Sequence, residues 1–201
     1  MTMRVAVAVS GRGSNLEALL RALGPDTPAR VVLVLSSRAD APALRVAATH
    51  GVPTDVLEDP ADPAGWLTDL ERYRVDLIVL AGYLKLVPAP VIARYRDRII
   101  NIHPALLPAH GGKGMYGRRV HEAVLARGDR ESGATVHLVD EVYDRGAILA
   151  QQRVAVLPGD SPERLAARVL EVEHRLLPAV VLVAAAAGRP VPLPEPVELS
   201  P

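Results

Sequence analysis

The sequence predicts an α/β protein: an open, doubly wound, mainly parallel sheet with helices on both faces and an antiparallel strand pair toward the C-terminus. Three observations carry this expectation. Short continuous apolar runs at residues 4–9, 31–35 and 76–80 alternate with helical stretches through the first hundred residues. That is the texture of strands buried on both faces of a parallel sheet. Glycine-bearing loops follow the first and third of these runs, at Gly11 and Gly13 and again at Gly82. Beyond residue 130 the pattern changes to apolar–polar alternation at 134–139 and 148–156, which fits an antiparallel pair.

In chain order, strand 4–9 runs into Ser10-Gly11-Arg12-Gly13-Ser14-Asn15 and then a helix over 16–23. A strand, a glycine loop and a helix start form an anion site, because free backbone N–H groups and the helix dipole favour a phosphate. Ser14 and Asn15 are placed to cap that helix and to donate to phosphate oxygens. The loop lacks the third glycine of a dinucleotide fingerprint and the Gly-Lys-Ser/Thr of a P-loop. Helix 43–50, a short strand near 54–57, helix 65–73, strand 76–80, helix 89–95 and strand 98–102 continue the series. Ligands in such a fold bind at the carboxyl ends of the strands. The segment 110–117, with Gly111, Gly112, Gly114 and Gly117, reads as a mobile cover. Helix 119–127 follows. A last helix begins at Ser161-Pro162-Glu163 with Pro at its first position and an apolar stripe of Leu165, Val169, Val172 and Leu176. Pro178 is expected to kink or restart it, and 188–201, with five prolines, reads as a surface tail.

A chain of 201 residues suffices for one domain with a sizeable core. We read residues 1–201 as one unit: a phosphate-binding βα half over 1–102, a half over 103–187 that carries the catalytic and second-ligand functions, and the tail over 188–201. Zero net charge supplies no field drawing the protein to nucleic acid or an anionic membrane. The absence of cysteine excludes a disulfide framework, a thiolate nucleophile and Cys-ligated metal. No charge-free apolar run is long enough to span a bilayer, and the N-terminus lacks a signal-peptide pattern. The expectation is a cytoplasmic protein, monomer or homodimer, acting on small molecules.

The chemistry concentrates in Ile99-Ile100-Asn101-Ile102-His103-Pro104-Ala105-Leu106-Leu107-Pro108. Residues two apart on a strand share a face, so Asn101 and His103 project together from its end. Pro104 restricts His103 to extended geometry. An amide and an imidazole aimed at one point can stabilise a developing oxyanion and move a proton. Removing one such donor costs about 2.7–4 kcal/mol in acyl-transfer sites. A carboxylate beside His103 would favour its imidazolium form. A metal set of His103, His110 and Asp144 can be drawn, but no spacing favours it, and His137 reads as structural or supporting.

Asn101-Ile102-His103-Pro104, followed by Gly133-Ala134-Thr135-Val136-His137 and by Asp144-Arg145-Gly146, resembles the formyltransferases that use 10-formyltetrahydrofolate. With Ser10-Gly11-Arg12-Gly13-Ser14-Asn15, the motifs occur in family order over nearly the whole chain. The resemblance implies catalytic roles for Asn101, His103 and Asp144. It implies ribonucleotide binding at Gly13, Ser14, Asn15 and Glu173, and folate binding at Leu84, Lys85, Leu86, Val87, Asn101 and Asp140, folate being the second ligand of the half over 103–187. It implies formyl transfer from 10-formyltetrahydrofolate to an amine without a metal. Ala105, Tyr83, Leu84 and Ala147 depart from common family residues, and the segment 58–66, with Asp62 and Trp66, supports no transfer of ligand contacts. A deformylase, another formyltransferase or a non-catalytic phosphate-binding module are the competing readings.

Overall fold

Thirteen elements follow in the computed structural model, which describes residues 2–193. They are β1 (Met3–Val9), α1 (Ser14–Ala22), β2 (Ala29–Ser36), α2 (Ala43–Thr49), β3 (Thr54–Val56), α3 (Pro63–Arg72) and β4 (Leu77–Leu80). Then come α4 (Ala89–Arg94), β5 (Ile99–His103), α5 (Arg118–Arg127), β6 (Glu131–Leu138), β7 (Ile148–Ala155) and α6 (Pro162–Ala187). The strands form one seven-stranded sheet in the order β3-β2-β1-β4-β5-β6-β7. Pairings through β5 are parallel, whereas β6 runs antiparallel to β5 and β7 antiparallel to β6. The expected architecture is therefore the observed one.

Each face of the sheet has its own core, and β1 shows why its sequence reads as one apolar run. Val5, Val7 and Val9 pack on one side with Leu16, Leu165, Val169 and Leu176. Ala6 and Ala8 pack on the other side with Trp66, Leu70 and Val91. A strand covered on both faces has no polar position to spare. The predicted stripe of α6 is buried in the first core, and α6 passes through Pro178 as one helix, neither ended nor restarted there.

Other element ends differ for identifiable reasons. Asp62 accepts the Ala64 N–H at 3.0 Å and Pro63 occupies the first turn, so α3 starts earlier than its apolar pattern suggests. Asp62 is thus a helix cap. Trp66 is fully buried, its indole N–H donating to the Pro60 carbonyl at 3.2 Å, which makes it a core residue. At α1 the cap is Gly13 itself, in left-handed conformation, and no side chain caps the helix. Ser14 and Asn15 lie inside the first turn instead. A Cβ on Gly13 would stand 2.7 Å from the Ala43 Cβ, so this glycine also admits the start of α2. The tail is not wholly a surface strap: Pro190 is buried and Leu193 donates its N–H to Leu149 on β7 at 2.8 Å. Residues 194–201 lie outside the described part.

The β6–β7 pair depends on Gly133, where an added Cβ would fall on the Gln152 carbonyl oxygen of the neighbouring strand. Gly133→Ala is expected to lose about 1–3 kcal/mol of stability in urea unfolding, since the clash is with backbone that cannot rotate away. An unchanged midpoint would show that the strands separate freely there.

Candidate active site

The carboxyl ends of β1, β4 and β5 share one edge of the sheet, and the loops that leave them open onto a cavity of about 1050 Å³. Every site residue expected from the sequence lines it. Gly13, Ser14 and Asn15 come from the start of α1, Glu173 from α6, Leu84, Lys85, Leu86 and Val87 from the loop after β4. Asn101 and His103 come from β5, and Asp140 and Asp144 from the β6–β7 connection.

At the centre, Asp144 faces two histidines. Its Oδ2 lies 3.6 Å from His103 Nδ1 and its Oδ1 lies 3.5 Å from His137 Nε2. Gly112 donates its N–H to Oδ2 at 2.8 Å. The β5–β6 register sets Asn101 opposite His137, and cross-strand partners share a face. Asn101 Nδ2 accordingly meets His137 Nε2 at 3.0 Å.

Carbonyl oxygens only accept, and this fixes the ring protons. His137 Nδ1 stands 2.7 Å from the Leu138 oxygen and His103 Nε2 stands 2.9 Å from the His110 oxygen, so these nitrogens carry hydrogen. In the neutral ring His137 Nε2 is then an acceptor, which obliges Asn101 to present its NH₂ group there. The second N–H of that group remains for a ligand. In the neutral His103 ring the lone pair sits on Nδ1, beside Asp144.

The carboxylate expected to favour the His103 imidazolium is present, but it does not prevail. Burial pushes the His103 pKa below the usual histidine range and outweighs the opposing pull of Asp144. Asp144 itself is pushed up by burial, but the two histidines beside it and the Gly112 N–H together hold its carboxyl below the ordinary range. The resting site thus pairs a neutral imidazole with an ionised carboxylate. His110 also departs from its expected place in a mobile cover. Its imidazole meets Asp129 Oδ2 at 2.6 Å and does not join His103 and Asp144 around a common point. Its φ of 54° is left-handed, a conformation costing an L-residue roughly 1–2 kcal/mol. The exposed stretch of the loop begins at Lys113.

At the other end, the N–H groups of the first turn of α1 carry no side-chain cap. Asn15 Nδ2 donates to Glu173 Oε2 at 2.6 Å, while Asn15 Oδ1 has no partner. Burial raises the Glu173 pKa to about 7 against the lowering effect of that bond. Two further histidines of the site, His137 and His121, are not singled out by the sequence. The signal for His137 was its place on an alternating strand, which mattered only once the register was known. His121 is buried on α5, lines the cavity and has an unpartnered Nδ1, with no distinguishing sequence signal.

An open α/β sheet with a phosphate-type helix start and an Asn–His–Asp cluster at its carboxyl edge defines a small-molecule group-transfer site. Residues 3–181 match the model of the formyl transferase family, described as "Formyl transferase", and the chain belongs to that family. It is 45% identical over 186 residues to the chloroplastic phosphoribosylglycinamide formyltransferase of Arabidopsis thaliana, covering 89% of this chain and 64% of that protein. With the phosphoribosylglycinamide formyltransferase of Haemophilus influenzae it shares 37% identity over 185 residues, 89% of this chain and 85% of that protein. The chain thus spans less than two thirds of the plant relatives' length but most of the bacterial one. The crystal structure of phosphoribosylglycinamide formyltransferase from Brucella melitensis superposes with a TM-score of 0.83 at 44% identity, covering 92% of this chain and 97% of that one. A formyltetrahydrofolate deformylase from Pseudomonas syringae gives 0.82 at 25% identity, with 93% of this chain and 62% of that one.

An NMR titration of the His103 ring should give a midpoint below that of a free histidine, about 6.5. Asp144→Asn should move it lower still, because the carboxylate is what favours the charged ring. A midpoint above 7 in the wild type would mean that the ion pair, not burial, governs the site.

Proposed function

We propose that this chain transfers the formyl group of 10-formyltetrahydrofolate to the amine of N1-(5-phospho-D-ribosyl)glycinamide in de novo purine biosynthesis. The products are the N2-formyl ribonucleotide and tetrahydrofolate. The observation that carries the reading is the meeting of Asn101, His103 and Asp144 in one cavity that also holds the uncapped start of α1. The named relatives in the formyl transferase family support the same choice of substrates.

The ribonucleotide phosphate sits on the backbone N–H groups that follow Gly13 and on the Ser14 hydroxyl and the second N–H of the Asn15 amide, with Glu173 near the glycinamide. The folate lies along Leu84, Lys85, Leu86 and Val87 and reaches Asp140. Residues 1–102 thereby contribute the phosphate half and residues 103–187 most of the catalytic half, joined by the Asn15–Glu173 bond. The amine attacks the formyl carbon, a C–N bond forms, and the carbonyl oxygen takes up negative charge. The free Asn101 N–H stabilises that oxyanion. Neutral His103 accepts the amine proton at Nδ1, and Asp144 stabilises the resulting imidazolium. Collapse breaks the bond to the folate nitrogen, which receives that proton. Lys113 to Gly117 act as the lid, since His110 and Gly112 are anchored. We place the reaction in the cytoplasm, on small molecules alone, with the protein as monomer or homodimer.

His103→Ala and Asp144→Ala should each lower kcat at least 100-fold, within the range of general acid–base effects. Calorimetric binding of the ribonucleotide should stay within about threefold, because neither residue touches the α1 start. A variant turning over near the wild-type rate would remove that residue from the mechanism.

Ser14→Ala and Asn15→Ala should raise the ribonucleotide KM by about 10-fold or more, as expected for a lost hydrogen bond to a charged group, with the folate KM little changed. Gly13→Val is the poorer test, because its side chain would collide with Ala43. Movement of the folate term alone would exchange the two pockets. Formate release without the ribonucleotide, in place of transfer to it, would establish a deformylase instead.

A further inference from the structure

The geometry points to His110, held by Asp129, as a positioning residue that selects the reactive ring nitrogen of His103. His103 is almost fully buried, and its Nε2–H has one acceptor, the His110 carbonyl at 2.9 Å. While that bond stands, the ring proton is kept on Nε2 and the lone pair on Nδ1, beside Asp144. If the carbonyl turned away, nothing would hold the proton on Nε2, and Nδ1–H facing the Asp144 carboxylate would be the preferred tautomer. A neutral ring protonated at Nδ1 cannot accept a proton there. The choice of tautomer therefore decides whether the site can take a proton from an incoming amine, and in this respect the inference rests on the proposed transfer reaction.

The carbonyl is held in an unrelaxed backbone. His110 has a φ of 54°, which disfavours any residue with a Cβ. Its side chain supplies the restraint: the imidazole donates from Nε2 to Asp129 Oδ2 at 2.6 Å, and the ring is only 10% exposed. Asp129 is fixed in turn at the end of α5, where its N–H donates to the Val124 carbonyl at 3.3 Å and Arg127 Nε lies 3.5 Å from its other oxygen. The contacts form a closed path from Asp129 through the His110 ring and carbonyl to His103, on to Asp144, and back through Gly112 to the same loop. Neither His110 nor Asp129 lines a position where it touches the reacting atoms: Asp129 is absent from the wall of the large cavity and opens, with His110, onto a separate one of about 280 Å³ behind it.

Asp129→Ala, Asp129→Asn and the double variant His110→Gly/Asp129→Ala test this in the full chain. Two-bond ¹H–¹⁵N spectra report the His103 tautomer, and steady-state rates separate kcat from KM. Asp129→Ala should convert a pure Nε2–H signature into a mixture and lower kcat about tenfold, with the ribonucleotide KM within about twofold as the sign of an intact fold. Asp129→Asn still accepts from the His110 ring and should restore both. The double variant should recover above Asp129→Ala, since glycine adopts positive φ without needing a tether. An unmixed Nε2–H signature in Asp129→Ala, or a kcat within twofold of wild type, overturns the inference. Should the wild-type protein fail to formylate the ribonucleotide, the proposed function falls, and the tautomer spectra still decide the role of His110.

Discussion

The largely shielded Asp144 carboxylate is the interaction on which the site depends. It accepts the Gly112 N–H and faces His103 and His137, so β5, β6 and the loop before α5 converge on one charge. A carboxylate removed from water is costly unless such partners surround it. That requirement keeps three chain segments together without any of them being rigid alone. It also explains Gly146, where a Cβ would fall on the Leu138 carbonyl oxygen. Without a glycine there the turn could not close tightly enough to return Asp144, itself left-handed with φ 57°, to the sheet edge.

Burial acts in opposite directions on the two ends of the cavity. At the Asp144 end it favours the neutral imidazole, while the Gly112 N–H and the two histidines keep the carboxylate ionised. At the α1 end one amide bond is too little to offset the loss of water around Glu173, whose carboxyl is raised to about 7. Desolvation raises both carboxyls, and the neighbours of Asp144 outweigh it whereas the single donor to Glu173 does not. The sheet sets this difference. Asp144 accepts the Gly112 N–H and faces two histidines, whereas Glu173 has the Asn15 amide as its donor.

The position of α1 ties the two ends together. Its uncapped first turn looks into the cavity, and Asn15 reaches across to α6. The long C-terminal helix therefore does more than cover the first core: it brings a side chain 158 residues away in sequence against the glycine loop. The start of α1 and the pair Asn101 and His103 open onto the same cavity because β1, β4 and β5 are neighbours with their carboxyl ends aligned.

The sequence by itself determined the layered α/β architecture, because strands covered on both faces have to be continuous apolar runs and those runs are visible without coordinates. It also determined the pairing of Asn101 with His103, since a period of two is local to the strand. The identity of Asp144 and Glu173 as site residues came from resemblance to a family, and their arrival in the cavity was decided by packing. What only the tertiary structure decided depends on distance and dielectric. The β5–β6 register made His137 the partner of Asn101, although its own strand shows only alternation. Burial outweighed the pull of Asp144 on His103, because a desolvation cost is a property of surroundings that no spacing of residues encodes. The capping of α1 by Gly13 in place of Ser14 or Asn15, and the anchoring of His110 away from the presumed mobile cover, followed from backbone torsions set by neighbours distant in the chain.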